Sequence, residues 1–433
     1  MDTQQSNNDF SITNYLESSI TAWHSIQALK SLFINRGFIE LNEEKSWKLL
    51  PGKSYFVIRN HRSMAAFTVG KKSLPSYKII ATHTDSPHLR IKTDSFTTDS
   101  THKNTLKKVR TSVYGGAILN TWLDRPLASA GVVYIKDKKT NKPKQLLFDS
   151  EKPIGIIPNL PIHLNREINK KGEVKPQQQL QFIFDIQGTL EEYIAKKLKI
   201  QKDLILSIEL ELYLPNKPQL TNSDKPLLFS PRIDNQIHCI TTAKALINSA
   251  HNLTETTQVA IFFDSEETGS LSMGGAKSSF IEHLLERISI SQTQSRENQL
   301  RARAKSLILS ADVAHAWNSN YPEKFDPSYK CVLNEGPVIK IDENNRYATT
   351  PETEALLRLL ATKNGIPLQK FIIHSDLPCG STVGPMLSSQ SSIPCIDIGV
   401  PIWAMHSICE TAGMSDVKNI QSLFEGFYTD SEL

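Results

Sequence analysis

The sequence predicts an α/β fold, a mixed β-sheet flanked by helices, with a β-rich unit inserted into it. Three observations carry this. Short apolar runs of strand length recur at Tyr77 to Ala81, Val259 to Phe263, Leu307 to Ala311 and Cys395 to Val400, and their β-branched content suits strands buried on both faces. Helical spacing lies between them, at Ile237, Ile240, Ala243 and Leu246 and again from Glu354 to Leu360. From about Thr97 to Asp224 the pattern changes: strand-like runs such as Gly131 to Ile135, Leu180 to Ile186 and Leu204 to Leu214 are separated by Lys, Asn, Pro and Gly, as in a β-rich unit.

At 433 residues the chain is longer than one hydrophobic core usually supports, so one domain inserted into another is the expected arrangement. The boundaries are expected to enclose a discontinuous domain of residues 1–96 and 225–433 and an insertion of residues 97–224. At the amino-terminal end, Ile12, Tyr15, Leu16, Ile20, Trp23, Ile26, Leu29 and Phe33 repeat at helical spacing and predict one amphipathic helix, stopped near Gly37.

Composition narrows the function classes. Hydrophobic residues at 39% and charged residues at 22% are ordinary globular values. The formal net charge is +4, and the basic clusters Lys107 to Arg110 and Lys136 to Lys144 lack interleaved aromatics. They predict solvated faces and no nucleic-acid partner. Met1 to Asp9 is polar and acidic, unlike a secretory signal. No apolar run approaches the ~20 residues of a membrane helix, so a soluble, cytoplasmic protein without a membrane partner is expected. Cys239, Cys331, Cys379, Cys395 and Cys409 form no Cys-x-x-Cys pair, which argues for buried thiols over disulfides or a zinc-thiolate site; a catalytic role is open only to Cys379, beside Gly380.

The chemistry is predicted where the strands end, because loops at the carboxyl ends of strands converge in open α/β sheets. Thr82-His83-Thr84-Asp85 follows the first apolar run, Asp264-Ser265-Glu266-Glu267 the second, Asp312 the third, and Met405-His406 comes shortly after the fourth. Asp234 sits just before the helix of Ile237 and Ile240. Each residue alone has an ordinary structural reading: a surface turn, a solvated Glu-Glu pair, a helix cap or a packed histidine. As one ordered series they match what a pair of divalent metals requires, since imidazole and carboxylate are good ligands for zinc and a carboxylate can bridge two ions. His83 and Asp85 point the same way on an extended turn, so Asp85 can fix the imidazole tautomer. In Glu266-Glu267 one carboxylate can bind metal while its diverging neighbour moves the proton of a water.

Long ordered segments also resemble a known family. Thr82 to Pro87 (THTDSP), Ser230 to Asn235 (SPRIDN), Asp264 to Ser270 (DSEETGS), Ser310 to Ala316 (SADVAHA), Gly336 to Lys340 (GPVIK), Pro378 to Pro385 (PCGSTVGP) and Ala404 to Ser407 (AMHS) closely resemble the M18, or aspartyl aminopeptidase, family. The resemblance implies a zinc-peptidase-like catalytic domain in which His83 and Asp312 bind one metal, Glu267 and His406 the other, and Asp234 bridges. It makes Glu266 the general base and has Asp85 orient His83. The ions would be two Zn2+, with Co2+ or Mn2+ able to substitute.

The resemblance further implies that the inserted unit is a dimerisation domain and that the chain is a homo-oligomer, with dimers building a tetrahedral dodecamer. His163, within Ile162-His163-Leu164, would reach a neighbour's site and hydrogen-bond the oxyanion. Lys340, with His315 nearby, would recognise an acidic side chain. The predicted activity is removal of an amino-terminal residue, Asp or Glu, from a peptide with a free amino terminus. Three rivals remain open: an aminopeptidase preferring apolar amino-terminal residues, a metal hydrolase of N-acyl amino acids, and a non-catalytic cage-forming scaffold.

Overall fold

A computed structural model of the chain describes residues 11–71, 76–98, 106–252 and 254–432; the Met1 to Asp9 stretch read above lies outside them. The chain divides into two compact units, one of Met1–Asp85, Pro218–Met405 and Glu410–Leu433, the other of Ser86–Lys217 with His406–Cys409. The division falls earlier than residues 96/97 and 224/225. The reason is strand pairing: His88–Ile91 pairs with Leu106–Tyr114 and Ile205–Tyr213, whereas Gln219–Leu220 pairs with Leu227–Ser230 of the larger unit.

The larger unit is built on a nine-stranded sheet. Its strands, numbered within this sheet, are β1 (Ile39–Leu41), β2 (Ser54–Arg59), β3 (Ser63–Thr68), β4 (Tyr77–His83), β5 (Thr257–Phe263), β6 (Leu307–Ala311), β7 (Val338–Ile341), β8 (Gln369–Ile372) and β9 (Cys395–Gly399). Their spatial order is β1-β2-β3-β5-β4-β6-β9-β7-β8. The central run β5-β4-β6-β9 is parallel throughout, with β3 antiparallel to β5 and β7 antiparallel to β9.

Parallel strands need cover on both faces, and the alternation of side chains supplies it. Ile80, Ala260, Phe262, Leu309 and Ile396 face one core with the helices Ile233–Ser249 and Met414–Thr429. Ile79, Ala81, Val259, Ile261 and Ile308 face another with Phe280–Ser291 and Val383–Ser391. Each large apolar side chain so buried contributes about 1.5–3 kcal/mol, and the sheet is fixed in register by many of them.

The single helix expected at the amino-terminal end is two, Ile12–Ser18 and Ala22–Asn35. Thr21 breaks the run because its hydroxyl caps the second helix by accepting from the His24 amide, and local hydrogen bonding of this kind competes with helix continuation. No helix among the described residues is long and apolar enough to cross a membrane. Of the cysteines, Cys239, Cys331 and Cys395 are buried, but Cys379 is half-buried and Cys409 exposed, a departure from the expectation for all five. Partial burial pushes the Cys379 thiol upward, away from the thiolate a nucleophile needs.

The smaller unit is an antiparallel sheet in the order Gly155–Ile156, Gln181–Asp185, Leu106–Tyr114, His88–Ile91, Ile205–Tyr213, Ala128–Lys136, Pro143–Asp149. One face packs Leu89, Val133, Phe148, Phe182, Phe184, Leu210 and Leu212 together with the helix Leu190–Leu198. The opposite face carries His88, Arg90, Glu209 and Glu211, tied by Arg90 to Glu209 at 2.9 Å and His88 to Glu211 at 3.5 Å.

One glycine of the large sheet controls where a polar residue can sit. A Cβ on Gly399, the last residue of β9, would lie 1.7 Å from the backbone oxygen of Asp312. Gly399→Ala is expected to destabilise the protein by about 1–3 kcal/mol or more, the range for overpacking, because backbone must move. The denaturant midpoint checks this, and an unchanged midpoint contradicts it.

Candidate metal centre

The ends of the central strands bring polar residues together. His83 closes β4, the Asp264-to-Thr268 turn follows β5, and Asp312 follows β6. Asp234 opens the Ile233–Ser249 helix with non-helical backbone (φ −74°, ψ 108°), as does Asn235, so its carboxylate is delivered from a turn and not from a helical face. Ligand atoms of His83, Asp234 and Asp312 lie within 4.8 Å of one another, and so do those of His83, Glu266 and Glu267.

His83 is oriented by its other nitrogen. Nδ1 is 3.0 Å from the backbone oxygen of Asp85; a carbonyl only accepts, so Nδ1–H donates and Nε2 faces the carboxylates, 3.5 Å from both Asp234 Oδ1 and Asp312 Oδ1. The Asp85 side chain lies beside the same nitrogen. Its Oδ1 stands 3.5 Å from His83 Nδ1, and the carboxylate also accepts from two successive amides, Glu266 N at 3.1 Å and Glu267 N at 3.2 Å. Asp85 therefore orients the imidazole through its backbone and clamps the Glu-Glu turn through its side chain.

That turn is strained and anchored. Ser265 has φ +61°, uncommon for a residue with a side chain. Its hydroxyl donates to Asp264 Oδ2 at 2.9 Å, and Asp264 pairs with Arg62 at 3.0 Å. Burial pushes the Asp264 carboxyl up to about 6, against the pull of Arg62.

The electrostatics are those of crowded carboxylates. Burial raises Glu266 to about 8, with Asp312, Asp85 and Asp234 adding repulsion against the pull of His83. Burial and Asp234 likewise raise Glu267 well above the carboxylate range. Burial opposes protonation of His83, but Asp234, Asp312 and Asp85 outweigh it and raise its pKa. Asp312 is held low despite burial, by Lys340 first and then His83. Several carboxylate oxygens with an imidazole nitrogen form a donor set suited to zinc-type divalent ions, and a cation among them would relieve this repulsion.

Lys340 is 2% exposed. Its ammonium donates to the Val313 carbonyl at 3.1 Å and lies 3.3 Å from Asp312 Oδ2, so the structure gives it a carboxylate of the site as partner. His315 is half-buried, edge-on to Phe371 at 5.5 Å between ring centres. His406 and His163 belong to the smaller unit. His406 Nδ1 donates to the Gly116 carbonyl at 3.2 Å, which puts the ring's lone pair on Nε2. His163 lies exposed in a turn among exposed Leu160, Ile162 and Leu164.

Sequence reasoning missed the polar residues beneath the site. Gln236 donates to the Thr84 carbonyl at 2.6 Å and accepts from Tyr15 at 3.0 Å and Ser25 at 2.8 Å. Glu410 accepts from the Asp234 amide at 2.9 Å. The available signal was a run of polar residues, Asp234-Asn235-Gln236 and His238, at the start of an otherwise apolar helix.

A parallel-centred α/β sheet with imidazole and carboxylates gathered past its strand ends defines the class: a metal-dependent hydrolase with a zinc-peptidase fold. The family model for "Aminopeptidase I zinc metalloprotease (M18)" matches residues 15–428, and the chain belongs to the M18 family of zinc metallo-aminopeptidases, which are peptide hydrolases. It is 37% identical over 426 residues to the probable M18 family aminopeptidase 2 of Clostridium novyi, covering 96% of this chain and 97% of that one. Among solved structures, the complex of Ape4 and Nbr1 superposes with a TM-score of 0.91 at 31% identity, over 96% of this chain and 84% of that one. The mApe1 dodecamer of S. cerevisiae gives 0.84 at 28% identity, over 96% and 95%.

Asp85→Asn presents an amide hydrogen where one backbone N–H now donates. The expected outcome is a 10–100-fold loss of aminopeptidase activity, the range for outer partners of metal ligands, with a lower melting temperature from the one amide left without its acceptor, about 1–3 kcal/mol. Wild-type rates in steady-state assays would contradict it.

Proposed function

We propose that this aminopeptidase works with two divalent ions, zinc in the first instance, on peptides with a free amino terminus in the cytoplasm. The observation that carries the proposal is the convergence of His83, Asp234, Asp312, Glu266 and Glu267 past adjacent parallel strands. His83 and Asp312 would hold one ion, Glu267 and His406 the other, and Asp234 would serve both. When bound, the ions supply Lewis acidity toward the scissile carbonyl and toward water.

Glu266 takes a proton from the attacking water as its oxygen bonds to the carbonyl carbon. It then hands that proton to the departing nitrogen as the C–N bond breaks. The products are a free amino acid and a peptide one residue shorter. Asp85 keeps Glu266 in place by holding its backbone amide.

Selectivity for an amino-terminal Asp or Glu would rest on Lys340, with His315 nearby. A preference for apolar residues is the second reading, favoured by one observation: Lys340 is already satisfied inside the fold by Asp312 and Val313. Hydrolysis rates over a panel of amino-terminal residues decide between them.

The assembly reading is a homo-oligomer of dimers joined through the smaller unit, up to a tetrahedral dodecamer. It is supported by family membership and by the relative whose structure is described as a dodecamer. In that assembly His163 of one subunit would hydrogen-bond the developing oxyanion in its neighbour.

Glu266→Gln is expected to lower kcat by roughly 10²–10⁴-fold, the range for a general base, while the zinc content stays that of the wild type. Chelation is expected to abolish hydrolysis, and adding zinc back to restore it. Full activity in a metal-free preparation, measured by elemental analysis alongside the assay, would overturn the metal mechanism.

A further inference from the structure

Beneath Asp234 lies a closed chain of hydrogen bonds that ties the first turn of the Ile233–Ser249 helix to the ends of three strands. The Val400 amide, just past β9, donates to His238 Nε2 at 3.2 Å. An amide only donates, so Nε2 is the accepting nitrogen and the ring proton sits on Nδ1. Nδ1 then donates to Asn235 Oδ1 at 2.5 Å. On its other side the Asn235 amide donates to Thr82 Oγ1 of β4 and to the Ala311 carbonyl of β6, each at 2.8 Å.

Every atom assignment in this chain is forced by a backbone group at its end. The Ala311 carbonyl fixes which side of the Asn235 amide is nitrogen, and the Val400 amide fixes the tautomer of His238. Asn235 and His238 are both completely buried, and burial holds the His238 imidazole neutral, with its pKa pushed down to about 3. Water therefore does not substitute for a lost partner here, and an unsatisfied buried donor or acceptor costs about 1–3 kcal/mol.

The chain ends at the residue beside Asp234. With Glu410 accepting from the Asp234 amide, the backbone is gripped on both sides of the carboxylate that stands 3.5 Å from His83 Nε2. We propose that His238 is a positioning residue for the metal centre: through Asn235 it locks Asp234 relative to the ends of β4, β6 and β9, and so sets metal affinity without touching metal or substrate. This rests on the reading of Asp234 as a ligand.

The test uses the full-length protein, stripped of metal and titrated with zinc by calorimetry. Three variants are compared with wild type. His238→Leu fills the space but neither donates nor accepts. His238→Asn places an amide donor where Nδ1 is and loses the Val400 partner. Thr82→Val removes one acceptor of Asn235.

His238→Leu is expected to weaken binding of at least one zinc ion 10–100-fold, the range for residues that orient ligands. His238→Asn should recover most of that loss, since it restores the donor to Asn235, and Thr82→Val should lose severalfold. The melting temperature of each metal-free variant reports a folding defect separately. If metal-free His238→Leu is unfolded, the comparison of His238→Asn with Thr82→Val carries the test: both binding as wild type overturns the proposal.

Wild-type zinc affinity and stoichiometry in a folded His238→Leu also overturns it. So does equal weakening in His238→Leu and His238→Asn, which is what a merely structural role gives. A wild-type protein that binds no zinc removes the metal-centre reading itself, and this proposal falls with it, by a result that differs from the other two.

Discussion

Asp234, Asp312, Glu266 and Glu267 surround His83 closely enough for metal-ligand distances, and their mutual repulsion is the constraint to which the surrounding structure responds. Two like charges ~4 Å apart repel by about 4 kcal/mol at an effective dielectric of ~20. A single hydrogen bond returns about 0.5–1.5 kcal/mol. No one contact can hold such a cluster, and its residues are restrained at several points between them. Asp85 holds the amides of Glu266 and Glu267, Glu410 holds that of Asp234, and Lys340 sits against Asp312.

This arrangement explains why the sheet has so little freedom where the site is made. The strands β4 and β5 are buried along their whole length, and the backbone oxygen of Asp312 packs against the α-carbon of Gly399 with no room for a methyl group. Apolar packing fixes strand register, strand register fixes where the carboxylates emerge, and the polar layer beneath resists their separation. The large aromatic content of the interior, Phe33, Phe56 and Phe262 among it, serves the site only through this sequence of constraints.

Much of the fold was legible because buried parallel strands write themselves as short continuous apolar runs. The run Leu307 to Ala311 is β6 to the residue, and Tyr77 to Ala81 lacks only the last two residues of β4. Residues following those runs could be read as one set because a strand end has only one direction to continue. Less legible was everything decided by a partner far away in sequence. His238 is one of a run of polar residues that opens an otherwise apolar helix, and nothing local reveals that its second partner is Val400, 162 residues on. The side chain of Asp85 was expected beside His83 two residues away, and what stayed hidden was its second task, accepting from amides 181 and 182 residues on. Lys340 lies in a strand whose neighbours are apolar, and its burial follows from Asp312 across the sheet. The break between the first two helices was hidden because their apolar spacing continues through the Thr21 cap.

The hydroxyls of Tyr15 and Ser25 meet on the side-chain oxygen of Gln236, whose nitrogen holds the carbonyl of Thr84 next to His83. The opening helices are therefore a foundation of the candidate metal centre and not an ornament on the sheet. Three buried side chains thus join both helices to the loop of His83, so a displacement of either helix would be felt there.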